Sequence, residues 1–108
     1  MISTHVLDTS RGTPAAGVAV VLEIRSGEAW RSVGSRSTDG QGRVASFSDG
    51  PLAGGTYRLT FDTGAYHRGA GVTPFFPSVI VMFDVQDGMH YHVPLLLSPY
   101  GYSTYRGT

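Results

Sequence analysis

A chain of 108 residues suits one compact domain spanning 1–108 and leaves no room for a second. It has no cysteine, which excludes disulfides and thiolate metal sites, and its formal net charge of zero offers no long-range field to nucleic acid or an anionic membrane. Fifteen glycines and six prolines, with apolar segments rich in valine, tyrosine and phenylalanine, favour short strands joined by turns.

Met1 is followed at once by Ile2-Ser3-Thr4-His5, without a basic or long apolar leader, so a cytoplasmic location is expected. Ile2 to Leu7 reads as the first strand, and Asp8 to Gly12 as a turn. Val18 to Ile24 is a second strand, apolar on both faces at its middle. A tight connection at Ser26-Gly27-Glu28 leads to a third, Trp30 to Arg36, with one wet face. Thr38-Asp39-Gly40-Gln41-Gly42 carries the strongest turn signal, both glycines being able to take positive φ, and a short strand from Arg43 to Phe47 follows.

Thr56 to Asp62 is a half-buried strand with Tyr57, Leu59 and Phe61 on one face. Thr63 to Val72 alone has helical character, with Thr63 as its cap and Gly69 and Gly71 keeping it brief. Ser78 to Val85 is strongly β in propensity. Gln86-Asp87-Gly88 reads as a hairpin turn that brings His90 to Leu97 back as its partner. After Ser98-Pro99 a last strand spans Tyr100 to Tyr105. Seven or eight short strands in two sheets, with one short helix, make an all-β sandwich.

Chemistry is sparse. There is no G-x-S-x-G elbow for a serine nucleophile, and no phosphate-cradling loop in a chain without lysine. Four histidines remain. His67, in the helical stretch, reads as a surface or satisfied side chain. His90 and His92 flank Tyr91, so on a strand both imidazoles project to one face. The pair suits two metal ligands lacking a third nearby, or a general base with its ordinary pKa of about 6.5, and the spacing alone does not choose. His5 lies mid-strand. Arg43 starts a strand after the glycine turn, as a salt-bridge former or as an anion holder. The aromatic tail, Tyr100 to Thr108, is expected to be docked and to lie at an interface.

Four blocks carry a resemblance: Ser3-Thr4-His5-Val6-Leu7-Asp8 with Gly12 and Pro14-Ala15; Thr38-Asp39-Gly40-Gln41-Gly42-Arg43; His90-Tyr91-His92-Val93-Pro94-Leu95-Leu96; and Ser98-Pro99-Tyr100-Gly101-Tyr102-Ser103-Thr104-Tyr105-Arg106-Gly107. Together they closely resemble the 5-hydroxyisourate hydrolases, the transthyretin-like proteins of purine degradation. The resemblance implies an eight-stranded sandwich with one short helix, assembled as a homotetramer (a dimer of dimers) with sites where subunits join. It implies hydrolysis of a small purine-derived ring without cofactor or metal. It makes His5, Arg43 and His92 catalytic, choosing His92 over His90, and assigns substrate binding to Tyr105, Arg106, Gly107 and Thr108. Transthyretin itself, a carrier, shares the fold and the Ser98-Pro99-Tyr100 block but replaces both histidines and the arginine and lacks the Tyr-Arg-Gly ending. One departure is Thr108, where the family commonly has serine. A non-catalytic carrier of aromatic ligands and a zinc hydrolase built on His5, His90 and His92 are the competing expectations.

Overall fold

Two sheets and a helix account for the chain in the computed structural model, which describes Met1 to Thr108. In order they are β1 (Ile2–Asp8), β2 (Thr13–Pro14), β3 (Ala19–Ser26), β4 (Ala29–Ser37), β5 (Arg43–Val44), β6 (Gly55–Phe61), α1 (Thr63–Gly69), β7 (Val79–Val85), β8 (Tyr91–Ser98) and β9 (Gly101–Thr104). One sheet runs β2-β1-β8-β9, with β5 also paired to β1, and the other runs β4-β3-β6-β7. The all-β sandwich expected from the turn spacing is the observed fold. The strands number nine, two of them only two residues long. No helix is long and apolar enough to cross a membrane.

The layers are glued by period-two burial. Val20, Leu22 and Ile24 of β3 and Tyr57, Leu59 and Phe61 of β6 point inward, against Ile2 and Val6 of β1 and Tyr91, Val93, Leu95 and Leu97 of β8. Each such side chain contributes roughly 1.5–3 kcal/mol of burial free energy. One-sided burial therefore fixes which residues of β1 and β8 face outward: a one-residue slip would turn every side chain over.

Four expectations are corrected. Gln86-Asp87-Gly88 does reverse the chain, with Gly88 at φ 72°, but β8 is not the hairpin partner of β7. It crosses to the other sheet and lies parallel to β1 over seven residue pairs, from Ile2 with Tyr91 to Asp8 with Leu97. A turn signal specifies reversal only. Whether the next strand lies alongside or is stacked ~10 Å away is decided by burial on both strands. Tyr91 helps lock the crossing, since its hydroxyl accepts from the Gln86 amide at 3.0 Å. The helix is capped by Asp62, not Thr63: the Asp62 carboxylate accepts from the Ala65 amide at 3.2 Å while Thr63 is buried. Of the two turn glycines only Gly42 has positive φ, at 76°. The strand after it stops at Val44, because Ala45 onward leaves β1.

Candidate active site

The outward face of the β1–β8 pair builds the site. On β1 the residues Ser3, His5 and Leu7 alternate with the inward Ile2, Thr4 and Val6. On β8, His92 alternates with the inward Tyr91 and Val93. The parallel register sets Ser3 beside His92, and the antiparallel β1–β5 register sets His5 beside Arg43. Directly opposed residues of an antiparallel pair have Cβ atoms about 4.5–5.5 Å apart, so three strands place His5, Arg43 and His92 on one surface although 87 residues separate the first histidine from the last.

Arg43 is aimed by the turn before it. The Asp39 carboxylate accepts from the backbone amides of Gln41 and Arg43, both at 2.9 Å, and the Asp39 amide donates to the Arg43 carbonyl at 3.0 Å. Those two amides, Arg43 first, hold the exposed Asp39 carboxyl below its ordinary pKa. Gly42 completes the turn in a left-handed conformation, and an added Cβ there would run into the Val6 carbonyl.

Both histidines are oriented by hydrogen bonds. His5 Nε2 donates to the Gln41 carbonyl at 2.8 Å; a carbonyl only accepts, so the proton is on Nε2 and Nδ1 keeps its lone pair when the ring is neutral. His92 Nδ1 lies 2.8 Å from Ser3 Oγ, and its Nε2 makes no hydrogen bond. The same hydroxyl lies 3.2 Å from His90 Nε2. Burial lowers the His92 pKa, and the positive charge or charging of Arg43, His5 and His90 lowers it further, which favours the neutral, proton-accepting ring.

These groups open onto a cavity of about 410 Å³ lined by Ser3, Asp39, Arg43, His90, His92 and Thr108, among others. The tail reaches it because the Gly107 amide donates to the His92 carbonyl at 2.7 Å, an isolated antiparallel bridge. Gly107 packs so closely on the His92 ring that an added Cβ would sit 2.6 Å from Cδ2. Tyr105 and Arg106 go elsewhere. They line a separate cavity of about 270 Å³ with Val81, Met82 and Val93, and the Arg106 guanidinium stands 4.7 Å over the Tyr91 ring. Thus His92, Arg43, Thr108 and, through the bridge, Gly107 come together, with His5 alongside in register and turned toward Gln41; Tyr105 and Arg106 lie on the other side of β8.

Ser3, Asp39 and Gln41 were missed from the sequence. Ser3 shares the face of His5 by simple alternation, and that signal was available. No cluster of three or more His, Cys, Asp or Glu side chains is arranged to hold a metal ion. His67 is neither surface-exposed nor satisfied: it is 3% exposed and its Nε2 has no hydrogen-bond partner. It lines a cavity of about 570 Å³, the largest of those described, with its Nε2 turned away from solvent.

The model of the HIUase/transthyretin family matches residues 2–107. The chain belongs to this family. Within it, a probable 5-hydroxyisourate hydrolase of Caenorhabditis elegans is 49% identical over 99% of this chain and 81% of its own length. Among solved structures, the 5-hydroxyisourate hydrolase of Klebsiella pneumoniae superposes with a TM-score of 0.90 at 43% identity, covering 99% of this chain and 98% of its own. The transthyretin of Sparus aurata superposes with a TM-score of 0.92 at 34% identity, covering 98% and 95%. The fold is therefore shared equally by hydrolase and transthyretin members of the family, and the distinction rests on side chains.

Proposed function

We propose that this chain hydrolyses 5-hydroxyisourate to its ring-opened ureido-imidazoline product in urate degradation. The observation that carries the reading is the free Nε2 of a neutral His92 in the same polar cavity as the Arg43 guanidinium. The hydrolase relatives at high identity over nearly the whole chain support it.

The chemistry follows from what each group is able to do. His92 Nε2 takes a proton from the attacking water, a contribution of about 10²–10⁴-fold. The water oxygen bonds to the carbonyl carbon of the cyclic amide, the C–N bond breaks, and the ring nitrogen receives a proton. His5, fixed by Gln41, orients the water through Nδ1. The planar fork of Arg43 holds a substrate carbonyl and stabilises the oxyanion that develops on it, often the largest electrostatic contribution. Thr108 hydrogen-bonds the ring at the edge of the cavity. Arg106 anchors the tail that delivers Gly107 and Thr108, in place of a direct grip on substrate. No bound cofactor takes part in this route.

The same reading makes the working protein a cytoplasmic homotetramer, a dimer of dimers of single-domain subunits. Two copies would face each other across the outer surface of the β1–β8 sheet. Exposed Phe75, Tyr100 and Tyr102, with the Phe76–Tyr102 edge-to-face pair at 5.2 Å, suit further subunit contact.

The test is the decay of ultraviolet absorbance of freshly generated 5-hydroxyisourate, with and without chelator. Acceleration that chelator leaves unchanged is the expected result. Decay no faster than in buffer removes the activity, and chelator-sensitive decay replaces it with a zinc mechanism.

A further inference from the structure

The Ser3 hydroxyl is placed between two imidazoles, 2.8 Å from His92 Nδ1 and 3.2 Å from His90 Nε2, and Ser3 is only 9% exposed. A hydroxyl has one proton to donate and lone pairs with which to accept. It therefore cannot donate to both rings. At least one imidazole must present N–H to the oxygen, and where the hydroxyl donates in turn, the other imidazole accepts from it. With water largely excluded from Ser3, the two rings are linked in a directed chain with two possible senses.

We propose that Ser3 is a positioning residue that sets the tautomer of His92 and relays its proton to His90. In the resting sense His92 Nδ1–H donates to Ser3 Oγ, and Ser3 O–H donates to His90 Nε2. This leaves the lone pair of His92 on Nε2, where the proposed base needs it. When Nε2 takes the proton of the attacking water, Nδ1 releases its own to Ser3 Oγ, and Ser3 passes its hydroxyl proton to His90 Nε2. Three protons each move by one hydrogen bond, and the net result is one proton carried from water to His90. His92 ends neutral and protonated on Nε2, able to hand that proton to the leaving ring nitrogen. His90 is exposed and outside any strand, so it exchanges the received proton with solvent. As Nε2 gives up that proton, His90 returns one through Ser3 to His92 Nδ1, so His92 never becomes an anion and the pair is reset.

The arrangement answers a specific difficulty. His92 is surrounded by positive or chargeable groups: Arg43 from β5, His5 from β1 and His90 ahead of β8. A positive charge held on it beside Arg43 through the reaction would be costly, and a relay lets it accept and then donate without keeping that charge. The same geometry gives His90 a role distinct from metal binding.

The proposal rests on the assignment of His92 as the base, and the experiment separates the two. Ser3→Ala, Ser3→Thr, His90→Ala, the Ser3→Ala/His90→Ala pair and His92→Asn are assayed on 5-hydroxyisourate. Nitrogen-15 spectra of the histidines are recorded for the unsubstituted protein and for Ser3→Ala. Removing an orienting partner should lower kcat roughly 10- to 100-fold and leave KM within about twofold, because substrate contacts are untouched. Ser3→Thr retains the hydroxyl and suits a strand, so it should recover most of the loss. The double variant should be no slower than Ser3→Ala alone, since both substitutions break one chain. The spectra should show His92 protonated on Nδ1, with that preference lost in Ser3→Ala. Full turnover by Ser3→Ala beside an inactive His92→Asn overturns the relay and leaves the base assignment standing. An Nε2-protonated resting His92 also overturns it, even if Ser3→Ala fails to fold. Near-normal turnover by His92→Asn overturns both.

Discussion

Two cavities share β8 as a wall, and they differ in kind more than in size. The one of about 410 Å³ is lined by Ser3, Asp39, Arg43, His90, His92 and Thr108; the one of about 270 Å³ by Val81, Met82, Phe83, Val93, Tyr105 and Arg106, among others. Even-numbered His92 belongs to the first and odd-numbered Tyr91 and Val93 to the second, so strand alternation alone divides reactive from apolar surface. The tail obeys the same division, with Gly107 and Thr108 at the polar cavity and Tyr105 and Arg106 at the apolar one. Hence the chemistry of a cavity, not its volume, marks the site: the 570 Å³ space beside His67 has no second imidazole in its lining, and the Nε2 of His67 is buried.

Substitutions on the polar side should break turnover and those on the apolar side should not. His92→Asn is expected to have the largest effect, a loss of about 10²–10⁴-fold in kcat with an unchanged circular dichroism spectrum. Arg43→Lys should come next, about 10²-fold in kcat/KM, because a point charge lacks the planar fork that meets a carbonyl oxygen with two donors. Steady-state kinetics checks both, and near-normal values in either variant would erase the distinction between the cavities.

The pH profile sharpens the comparison. His92 titrates below its ordinary value, and the neutral ring is the working form, so the acid limb of kcat/KM should fall below pH 6.5 and not at it. The same shift has a stability consequence. The unfolded chain takes up the proton first as pH drops, so folding free energy is lost as pH falls from about 6.5 toward the lowered folded-state pKa. An acid limb above 6.5 contradicts this. Arg106→Met should matter least. It removes an exposed cation–π contact worth about 0.5–1 kcal/mol, visible as a small drop in melting temperature with kcat within a few-fold of the parent. A loss exceeding that of Arg43→Lys would return Arg106 to the substrate.

Much of this was legible in residue patterns. The period-two run at Tyr57-Leu59-Phe61 gave a strand face that the structure keeps, and His90, although it lies just ahead of β8, reaches Ser3 as His92 does. The Thr38 to Gly42 turn was found where it stands, including the left-handed Gly42. What was not legible is pairing between distant segments. No local signal states that β8 leaves β7 to lie parallel to β1, because that choice is made by the inward sides of both strands at once. The hairpin reading failed for this reason. Ser3 was passed over for the same one, since its importance appears only when His90 and His92 are laid beside it. The resemblance assigned Tyr105 to Thr108 to substrate as one block, whereas Tyr105 and Arg106 line the apolar cavity and Thr108 the polar one.

The β1–β8 register has a kinetic corollary. Ser3 and His92 are 89 positions apart. Closing so long a loop carries an entropic cost that grows only logarithmically with length but must be met before any contact rewards it, which slows folding of chains with high contact order. Neither half of the chain is able to hold His5 near His92 by itself. Catalytic competence should therefore return on refolding together with the parallel ladder and not ahead of it, so enzymatic activity becomes a reporter of the most non-local step in acquiring the native topology.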